Sequence, residues 1–342
     1  MKKYLLPESG NFYKANLHCH STVSDGKWTP EQIKRNYMAQ GYSVVAYTDH
    51  DVMVPHHELS DESFLALTGY EMEINEPKDP QNPRKRKTCH LCYIALDKKE
   101  PPQVCWHREK YAALGNAANY HGVVKFDETL PDYERTYSHE CINDMIKKGR
   151  EGGFFVTYNH PVWSLENYEN YIGYEGMNAM EICNFGCIAA GWLDYNPMVY
   201  DDILNSGKRI FCIAADDNHN GSTPDSFGGF TVIKAEKLEY ETVTKALLDG
   251  HFYASQGPEI HALWMEDGYI HIKCSPAAEI YFNTGVRRAA RLVAGEGESL
   301  TEATFPVKKE YGYVRLTVVD AAGKPANTNA YFVDELDLTE EE

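Results

Sequence analysis

Histidines and carboxylates follow the ends of five short apolar runs in this sequence. The runs NLHCH, VVAYTDH, FLALTGYE, FFVTYNH and RIFCIAADD end in, or lead directly to, His18, His20, Asp25, Asp49, His50, Glu71, His160, Asp216, Asp217 and His219. Imidazole nitrogens combined with carboxylate oxygens suit Zn, Mn or Fe better than Ca or Mg, which prefer oxygen alone. The candidates are too numerous for one ion, so we expect two or three divalent metal ions with Glu71 as a bridging carboxylate.

The spacing within these groups selects the side chains that share a metal. Side chains at positions i and i+2 of a strand lie on the same side, so His18 and His20 can bind one ion. By the same parity Asp217 lies with His219, and Asp216 faces the other way. We therefore predict Asp217, and not Asp216, as a ligand.

His90 differs from the other candidates because it begins its apolar run, CHLCYIAL, instead of ending it. Residues 64–75 and 88–96 are predicted to form an antiparallel hairpin whose turn is centred near residues 81–82. Such a hairpin brings Glu71 and His90 close across its two strands. His90 is therefore included among the predicted ligands.

The chain up to about residue 256 alternates apolar runs with amphipathic stretches such as PEQIKRNYMAQGY. This alternation predicts an α/β fold with a mostly parallel sheet, either open or closed into a barrel. In a parallel barrel the carboxyl ends of the strands form one face, which holds the active site. The fold would thus gather candidates that lie far apart in the sequence.

The sequence divides into two predicted domains. Residues 1–256 are predicted to form the barrel that carries the metal ligands, in which residues 98–152 lack a strong strand and are predicted to be a helical insertion. Residues 257–342 contain short alternating runs separated by turns, with the boundary near Gly257 and Pro258. This pattern predicts a small C-terminal all-β sandwich.

The chain of 342 residues carries 51 acidic and 33 basic side chains, for a net charge of −18. A protein this acidic is not expected to bind long duplex nucleic acid or an anionic membrane, since both require clustered Lys and Arg. Bound metal ions would still admit a small anionic substrate. The N-terminal MKKYLLPESG lacks a secretory apolar region, no run spans a membrane, and the nine cysteines are an odd number. We expect a soluble, cytoplasmic protein with reduced thiols.

The motifs resemble those of the PHP superfamily, named for polymerase and histidinol phosphatase. HCHSTVSDG is similar to its first motif, HxHxxxSDG, TDHD to its second, and GYE, CHL, NHP and DDNH to later ones. The resemblance implies a distorted (β/α)7 barrel with a two- or three-metal centre at its mouth. Carried over by position, the implied ligands form three sets: His18, His20, Glu71 and Asp217; Glu71, His90 and His160; and Asp25, His50 and His219. The C-terminal part resembles a branch with an appended sandwich that includes carbaryl-hydrolase-like enzymes.

These features predict a metal-dependent phosphoesterase that cleaves a small phosphorylated metabolite or nucleotide. The predicted nucleophile is a metal-bound hydroxide, since coordination lowers the pKa of water from about 16 to near 7. Two alternatives stay open: a carboxylic ester, carbamate or amide hydrolase on the same centre, and a non-catalytic metal-binding module. Exonuclease activity on short oligonucleotides is also compatible with the charge. Asp49 either orients a ligand histidine or caps the turn that follows it.

Two peripheral features bear on the substrate. The basic run at residues 84–87 either attracts an anion or is a solvated loop. The aromatic series Trp163, Tyr168, Tyr171 and Tyr174 either stacks on a ring of the substrate or packs within the protein.

Overall fold

The computed structural model describes residues 2–336, so the last six residues of the predicted C-terminal domain lie outside the described part. The strands are β1 Lys2–Tyr4, β2 Asn11–Asn16, β3 Val44–Tyr47, β4 Leu65–Asn75, β5 Thr88–Ala95, β6 Phe154–Tyr158, β7 Ala179–Asn184, β8 Phe211–Ala215, β9 Phe230–Ala235, β10 Phe252–Ser255, β11 Ile260–Glu266, β12 Tyr269–Ala277, β13 Glu279–Thr284, β14 Ala289–Val293, β15 Leu300–Pro306, β16 Tyr313–Val319, β17 Pro325–Thr328 and β18 Tyr331–Phe332. The helices are α1 Pro30–Met38, α2 His139–Glu151, α3 Tyr168–Tyr171, α4 Phe185–Ala189, α5 Pro197–Asn205 and α6 Tyr240–Leu248. The fold is mixed α/β.

Within residues 2–336, fourteen strands form one large sheet. The strands β2, β3 and β4 are parallel neighbours, as are β6, β7 and β8. Between these two groups β5 runs antiparallel to both β4 and β6. The carboxyl ends of the six parallel strands and the amino end of β5 therefore meet at one end of the sheet.

The predicted hairpin is formed by β4 and β5, whose antiparallel register places Glu73 opposite His90 and Glu71 opposite Cys92. Glu71 is thus the diagonal neighbour of His90, which is still within reach of a long side chain. Because β5 is antiparallel, a residue near its beginning lies at the same end of the sheet as residues that end parallel strands. This explains why His90 begins its apolar run.

The first helix, α1, begins where the sequence signals predict. Pro30 occupies the first turn, where its missing N–H is not needed. Thr29 Oγ1 accepts from the Gln32 backbone N at 3.3 Å, and the Gln32 side chain accepts from the Thr29 backbone N at 2.9 Å. This capping box sets the helix start, and the buried Ile33 and Tyr37 dock the helix on the sheet.

The predicted (β/α)7 barrel is not confirmed, because the sheet does not close. Within residues 2–336 the sheet ends at β8, and the edge of β2 that β8 would need is paired with the antiparallel β9. A parallel bridge between Cys19 and Asn218 joins the chain beyond the two strands. There the His20 N donates to the Asn218 carbonyl at 3.1 Å, and the Asp217 N donates to the His18 carbonyl at 2.9 Å.

Side chains bridge the remaining gap between β2, β8 and β9. The buried Asn16 accepts from the Asp216 backbone N through Oδ1 at 2.9 Å. Thr231 Oγ1 accepts from the Ala214 N at 3.2 Å and donates to the Ala214 carbonyl at 2.9 Å. Buried backbone groups require partners, and these side chains supply what a strand ladder would otherwise provide.

The C-terminal strands lie in two sheets that pack face to face. One sheet has the order β1-β11-β12-β15, and β13, β14, β16 and β17 extend the large sheet through the pairing of β17 with β10. Ile270 and Ile272 of the first sheet share a core with Phe282 and Leu316 of the second. The backbone pairing therefore continues across the predicted boundary at residue 256, and the two-domain division stays a prediction.

Helix α2 ends the predicted 98–152 insertion and packs its buried Ile142, Met145 and Ile146 into the core that β5 and β6 share. The insertion likewise stays a prediction. The nine cysteines are all free thiols. Among residues 2–336, no helix has both the length and the apolar character needed to cross a bilayer.

An ion pair between a buried arginine and a half-buried aspartate ties the C-terminal strands to helix α5. Arg315 of β16 is 3% exposed and donates through Nε and Nη2 to the Asp201 carboxylate at 2.7 and 2.6 Å. Removing one partner of a buried pair leaves an uncompensated charge. We expect Asp201→Ala to lower the free energy of unfolding by about 3 kcal/mol in a urea titration.

The matched control is Glu279→Ala, which breaks a pair with Arg291, an arginine that is 51% exposed, in the same part of the fold. Exposed pairs contribute little, so this variant should leave the urea midpoint nearly unchanged. Equal destabilisation by both variants would show that Asp201 does not neutralise a buried charge.

Candidate metal centre

All nine predicted ligands lie at the same end of the large sheet. His18 and His20 follow β2, Asp25 lies in the next loop, His50 follows β3, Glu71 and His90 belong to β4 and β5, His160 follows β6, and Asp217 and His219 follow β8. Most are buried, whereas the Asp25 and His219 side chains are 29% and 35% exposed. These two residues therefore lie on the open side of the cluster.

The Glu71 carboxylate is the centre of the cluster and approaches five histidine rings. Its Oε1 lies 3.2 Å from His18 Nε2, 3.0 Å from His90 Nδ1 and 3.4 Å from His160 Nε2, and its Oε2 lies 3.4 Å from His20 Nε2 and 3.2 Å from His50 Nδ1. Glu71 itself is 1% exposed. A buried carboxylate surrounded in this way can bridge more than one cation.

Three sets of side chains bring their nitrogen and oxygen atoms within 4.8 Å of one another, which is close enough to share an ion. The sets are His20, Asp25, His50 and His219; His18, Glu71 and His160; and His18, His20 and Asp217. These sets differ from those that the family resemblance implies in two ways. His20 also belongs to the set of Asp25, His50 and His219, and His18 belongs to both of the other sets. His90 lies beside them, 3.0 Å from Glu71.

The carboxylates hold positive charge in the cluster. Burial opposes a charge on His20, but hydrogen bonds to Asp217 and Glu71 raise its pKa to about 10. For His90 the Glu71 carboxylate likewise overcomes burial and raises the pKa to about 10. His50 shows the opposite shift, because burial and the charge on His20 lower its pKa to about 3. The electrostatics of the cluster therefore favour cations next to Glu71 and Asp217.

Buried polar atoms without a hydrogen-bond partner show that these residues fit a metal centre. Within the cluster they are His20 Nδ1, His90 Nε2, and the pair His50 Nδ1 and Glu71 Oε2, which lie 3.2 Å apart without hydrogen-bond geometry; eight further such atoms lie elsewhere among the described residues. Such atoms are costly in a native protein unless an ion or ordered water satisfies them. Together with the three ligand sets, they fit divalent ions held by mixed nitrogen and oxygen donors.

Strained backbone occurs at two of the predicted ligands. His160 has φ +29° and Asp217 has φ +51°, values that non-glycine residues rarely adopt. Each residue lies within two residues of the end of a strand. The local turn aims both side chains inward, and strain of this kind concentrates at functional sites.

Glu181 is a site residue that the sequence reasoning missed. It is fully buried in β7, and its Oε1 lies 2.7 Å from His18 Nδ1. Its Oε2 accepts from the His160 backbone N and from Asn184 Nδ2, both at 2.9 Å. The signal in the sequence was a single carboxylate inside the apolar run AMEICNF. A carboxylate in this position fixes the orientation of a ligand histidine.

Asp49, for which two roles were left open, orienting a ligand histidine or capping the turn that follows it, bonds to the loop between His20 and Asp25. Its carboxylate accepts from the backbone N and the hydroxyl of both Ser21 and Ser24, at 2.7 to 3.0 Å. The catalytic role of Asp49 stays a prediction. These hydrogen bonds fix the conformation of the loop that carries Asp25.

Asp216 faces away from the cluster, as the strand parity predicts. It accepts from the backbone N of Phe227, Gly228 and Gly229 at 2.8 to 3.0 Å and from the Tyr37 hydroxyl at 2.8 Å. Burial raises the pKa of Asp216 to about 6, although these hydrogen bonds oppose the shift. Asp216 anchors the chain on both sides of the ligand loop.

A buried ion pair connects the predicted insertion to the site. Arg135 Nη1 lies 2.5 Å from Asp51 Oδ1 and 3.1 Å from the Glu73 carbonyl, and both charged side chains are almost fully buried. Asp51 follows His50 in the chain, and Glu73 lies opposite His90. The ion pair therefore stabilises the backbone next to His50 and opposite His90.

The cluster opens into a cavity of about 410 Å³. Its floor consists of predicted ligands, and Leu114, Trp163, Cys187 and Ala190 contribute to its walls. Among the described residues that line it, none is Lys or Arg. The basic run at residues 84–87 is therefore not part of the cavity lining.

The aromatic series after His160 divides into two groups. Trp163 lines the cavity, and its ring centroid lies 5.0 Å from that of His160. Tyr171 and Tyr174 are 6% and 1% exposed and pack in the core, while Tyr168 is exposed. Of the four, only Trp163 has the location that stacking on a substrate requires.

Comparison with known proteins gives one sequence match and distant structural ones. No family model matches the chain. Over 157 residues, 42% of this chain, it is 31% identical to a 5′-3′ exoribonuclease of Haemophilus influenzae (strain ATCC 51907 / DSM 11121 / KW20 / Rd). The match spans 56% of that protein's length, so its activity bears on this chain only as a proposal.

Two solved structures are similar to the chain at low identity. One is a two-domain protein from Bacteroides vulgatus ATCC 8482 described as containing a predicted PHP-like metal-dependent phosphoesterase, with 14% identity, a TM-score of 0.45 and coverage of 96% of this chain and 97% of that one. The other is an amidohydrolase from Chromobacterium violaceum, with 15% identity, a TM-score of 0.40 and coverage of 60% of this chain and 87% of that one.

The contact between Glu181 and His18 yields a test of the metal centre. Glu181→Gln keeps the shape of the side chain but removes the charge that orients the ring. We expect the affinity for Mn²⁺ or Zn²⁺, measured by competition with a chelating dye, to fall by about 10- to 100-fold.

Glu166→Gln serves as the control. Glu166 is also a buried carboxylate, but it accepts hydrogen bonds from the Tyr137, Tyr158 and Tyr174 hydroxyls instead of contacting a predicted ligand. Metal affinity should be unchanged in this variant. A matching loss in both variants would trace the effect to general destabilisation.

Proposed function

We propose that the chain is a metal-dependent hydrolase of the PHP superfamily, and that it acts as a phosphoesterase. The observation that carries this proposal is the Glu71-centred cluster, in which three ligand sets meet at the floor of an open cavity. Such a cluster at the carboxyl ends of parallel strands has the location of an active site in α/β folds. The motif resemblance, which covers the same residues, supports the family assignment.

Each part of the site has a distinct task in this proposal. His18, His20, His50, His90 and His160, with Asp25, Glu71, Asp217 and His219, would hold two or three divalent ions, such as Mn, Zn or Fe. When bound, the ions would supply Lewis-acid charge for the attacked group and acidify water near neutral pH. Glu181 keeps Nδ1 of His18 occupied, so that Nε2 points into the cluster. The hydrogen bonds of Asp49 hold the loop that presents Asp25.

The proposed substrate is a small phosphorylated metabolite or nucleotide. A cavity of about 410 Å³ is in the range of small-molecule sites and cannot enclose a duplex. The net charge of −18 disfavours long polyanions, while cations at the floor would attract a single phosphate. The match to an exoribonuclease is compatible with a terminal nucleotide of a short strand as one such substrate.

The cavity lining also supports an alternative reaction on the same centre. No Lys or Arg among the described lining residues is available to bind phosphate oxygens, so only the metal ions would neutralise them. A carboxylic ester, carbamate or amide needs no such neutralisation. This observation keeps the hydrolysis of those groups as the second candidate, and with it the proposed resemblance to the carbaryl-hydrolase-like branch.

Paired chromogenic substrates test the proposal. We expect protein loaded with Mn²⁺ or Zn²⁺ to hydrolyse p-nitrophenyl phosphate, and Glu71→Gln to lower kcat/KM by at least about 100-fold, because it removes the central carboxylate. Glu62→Gln, which changes an exposed glutamate outside the cluster, should retain full activity. Hydrolysis of p-nitrophenyl acetate alone would reject the phosphoesterase in favour of the second candidate. Lack of turnover across a broad panel of esters and phosphoesters, with metal bound, would indicate a binding module.

A further inference from the structure

One wall of the cavity is apolar, although its floor is highly polar. Trp163, Cys187 and Ala190 lie on this wall, and Leu114 also lines the cavity. Trp163 is 39% exposed, and its ring centroid lies 5.3 Å from that of His90 with an interplanar angle of 68°. A large apolar surface thus adjoins two predicted ligand rings directly.

The apolar wall is held in place by two hydrogen bonds. The Trp163 backbone N donates to Asp194 Oδ2 at 2.9 Å, and Asp194 is fully buried. The Trp192 backbone N donates to the Cys187 carbonyl, also at 2.9 Å. The loop around residues 190–196 is therefore bonded both to Trp163 and to the segment that carries Cys187. These hydrogen bonds fix the backbone of the residues that form the apolar wall.

The same loop extends the apolar surface beyond the cavity. Trp192 is 38% exposed and Leu193 is 87% exposed. Large side chains of this kind next to one another on a surface generally mark a binding region. Trp192 and Leu193 follow the lining residue Ala190 closely in the chain, and the Trp192 backbone N is bonded to the lining residue Cys187. The occupant that such a wall suits is the organic part of a molecule whose reacting group lies on the floor.

The charges around the cavity limit what else that molecule can carry. Asp225 and Glu73 line the cavity in addition to the carboxylates of the ligand sets, and among the described lining residues no Lys or Arg offsets them. Glu73 is 27% exposed in its side chain. A second anionic group on the substrate would therefore meet negative charge away from the metal ions.

We infer that the cavity binds a substrate with one anionic group at the ligand cluster and an uncharged, apolar aryl or alkyl group laid along Trp163 toward Trp192 and Leu193. This inference rests on the proposed function for the reacting group, but the apolar subsite is a property of the wall itself. It predicts selectivity for the organic part of the ligand, which binding measurements detect without turnover.

The test compares non-hydrolysable phosphonates by calorimetry on the Mn²⁺-loaded protein. We expect 2-phenylethylphosphonate to bind at least about tenfold more tightly than ethylphosphonate, since burial of a phenyl group on an apolar wall is favourable. We expect 3-phosphonopropanoate, which adds a carboxylate, to bind more weakly than ethylphosphonate. Equal affinities of the phenyl and ethyl compounds, or tighter binding of the compound with the added carboxylate, would overturn the inference.

Variants locate the selectivity on the wall. Trp163→Ser should bring the ratio of the two dissociation constants close to one, and Trp163→Phe should keep most of it. Leu248→Ser changes a similarly exposed apolar side chain on α6 and should leave the ratio as in the wild type. An unchanged ratio in Trp163→Ser would assign the selectivity elsewhere and reject the subsite.

Two further measurements distinguish the apolar subsite from the proposed reaction and from self-association of the protein. Turnover of 2-phenylethyl phosphate is measured on the same protein, and its absence with retained phosphonate selectivity would reject the phosphoesterase and support the subsite. Sedimentation of the wild type and of the double variant Trp192→Ser, Leu193→Ser reports self-association. If this double variant dissociates a dimer and leaves the affinity ratio unchanged, the outer surface is an interface between copies, and the extension beyond Trp163 is wrong.

Discussion

The structure depends on one buried carboxylate, Glu71, and on the positive charge that it requires. A carboxylate that is 1% exposed is costly to bury unless cations or donors surround it. Five histidine rings provide that environment, and they come from the ends of four different strands. The requirement to bring these rings to one point explains the other unusual features of the fold, including the inverted strand β5 and the strained turns at His160 and Asp217.

The gap between β2 and β8, where the sheet stays open, lies beside the same cluster. A closed barrel would pair β8 with β2 along its length, but β9 occupies that edge. The chain instead crosses the gap through the bridge at Cys19 and Asn218, and side chains such as Asn16 satisfy the backbone there. This arrangement leaves Asp217 and His219 on a turn and not on a regular strand, so their side chains can reach the residues that follow β2.

Sequence reasoning selected residues that the structure brings together, because their pattern is local and periodic. Strand parity predicted Asp217 over Asp216, and the structure shows Asp216 bonded to the backbone at 227–229, although β8 already ends at Ala215 and both residues lie beyond it. The hairpin of β4 and β5 was also predictable, since its polar tip divides two apolar runs. Whether the barrel closes could not be predicted in this way, because it depends on which distant strand pairs with the edge of β2.

The sequence by itself determined which side chains are candidates for metal binding and at which end of the strands they lie. This is possible because the spacing of residues along a strand sets the side of the strand that each side chain faces. Only the tertiary structure decided which of them share a set, that Glu181 and not Asp49 contacts His18, and that Trp163 alone of its aromatic series lines the cavity. These outcomes depend on contacts between residues far apart in the chain. Burial and hydrogen bonding at such contacts arise only when the strands are assembled, and no local pattern encodes them.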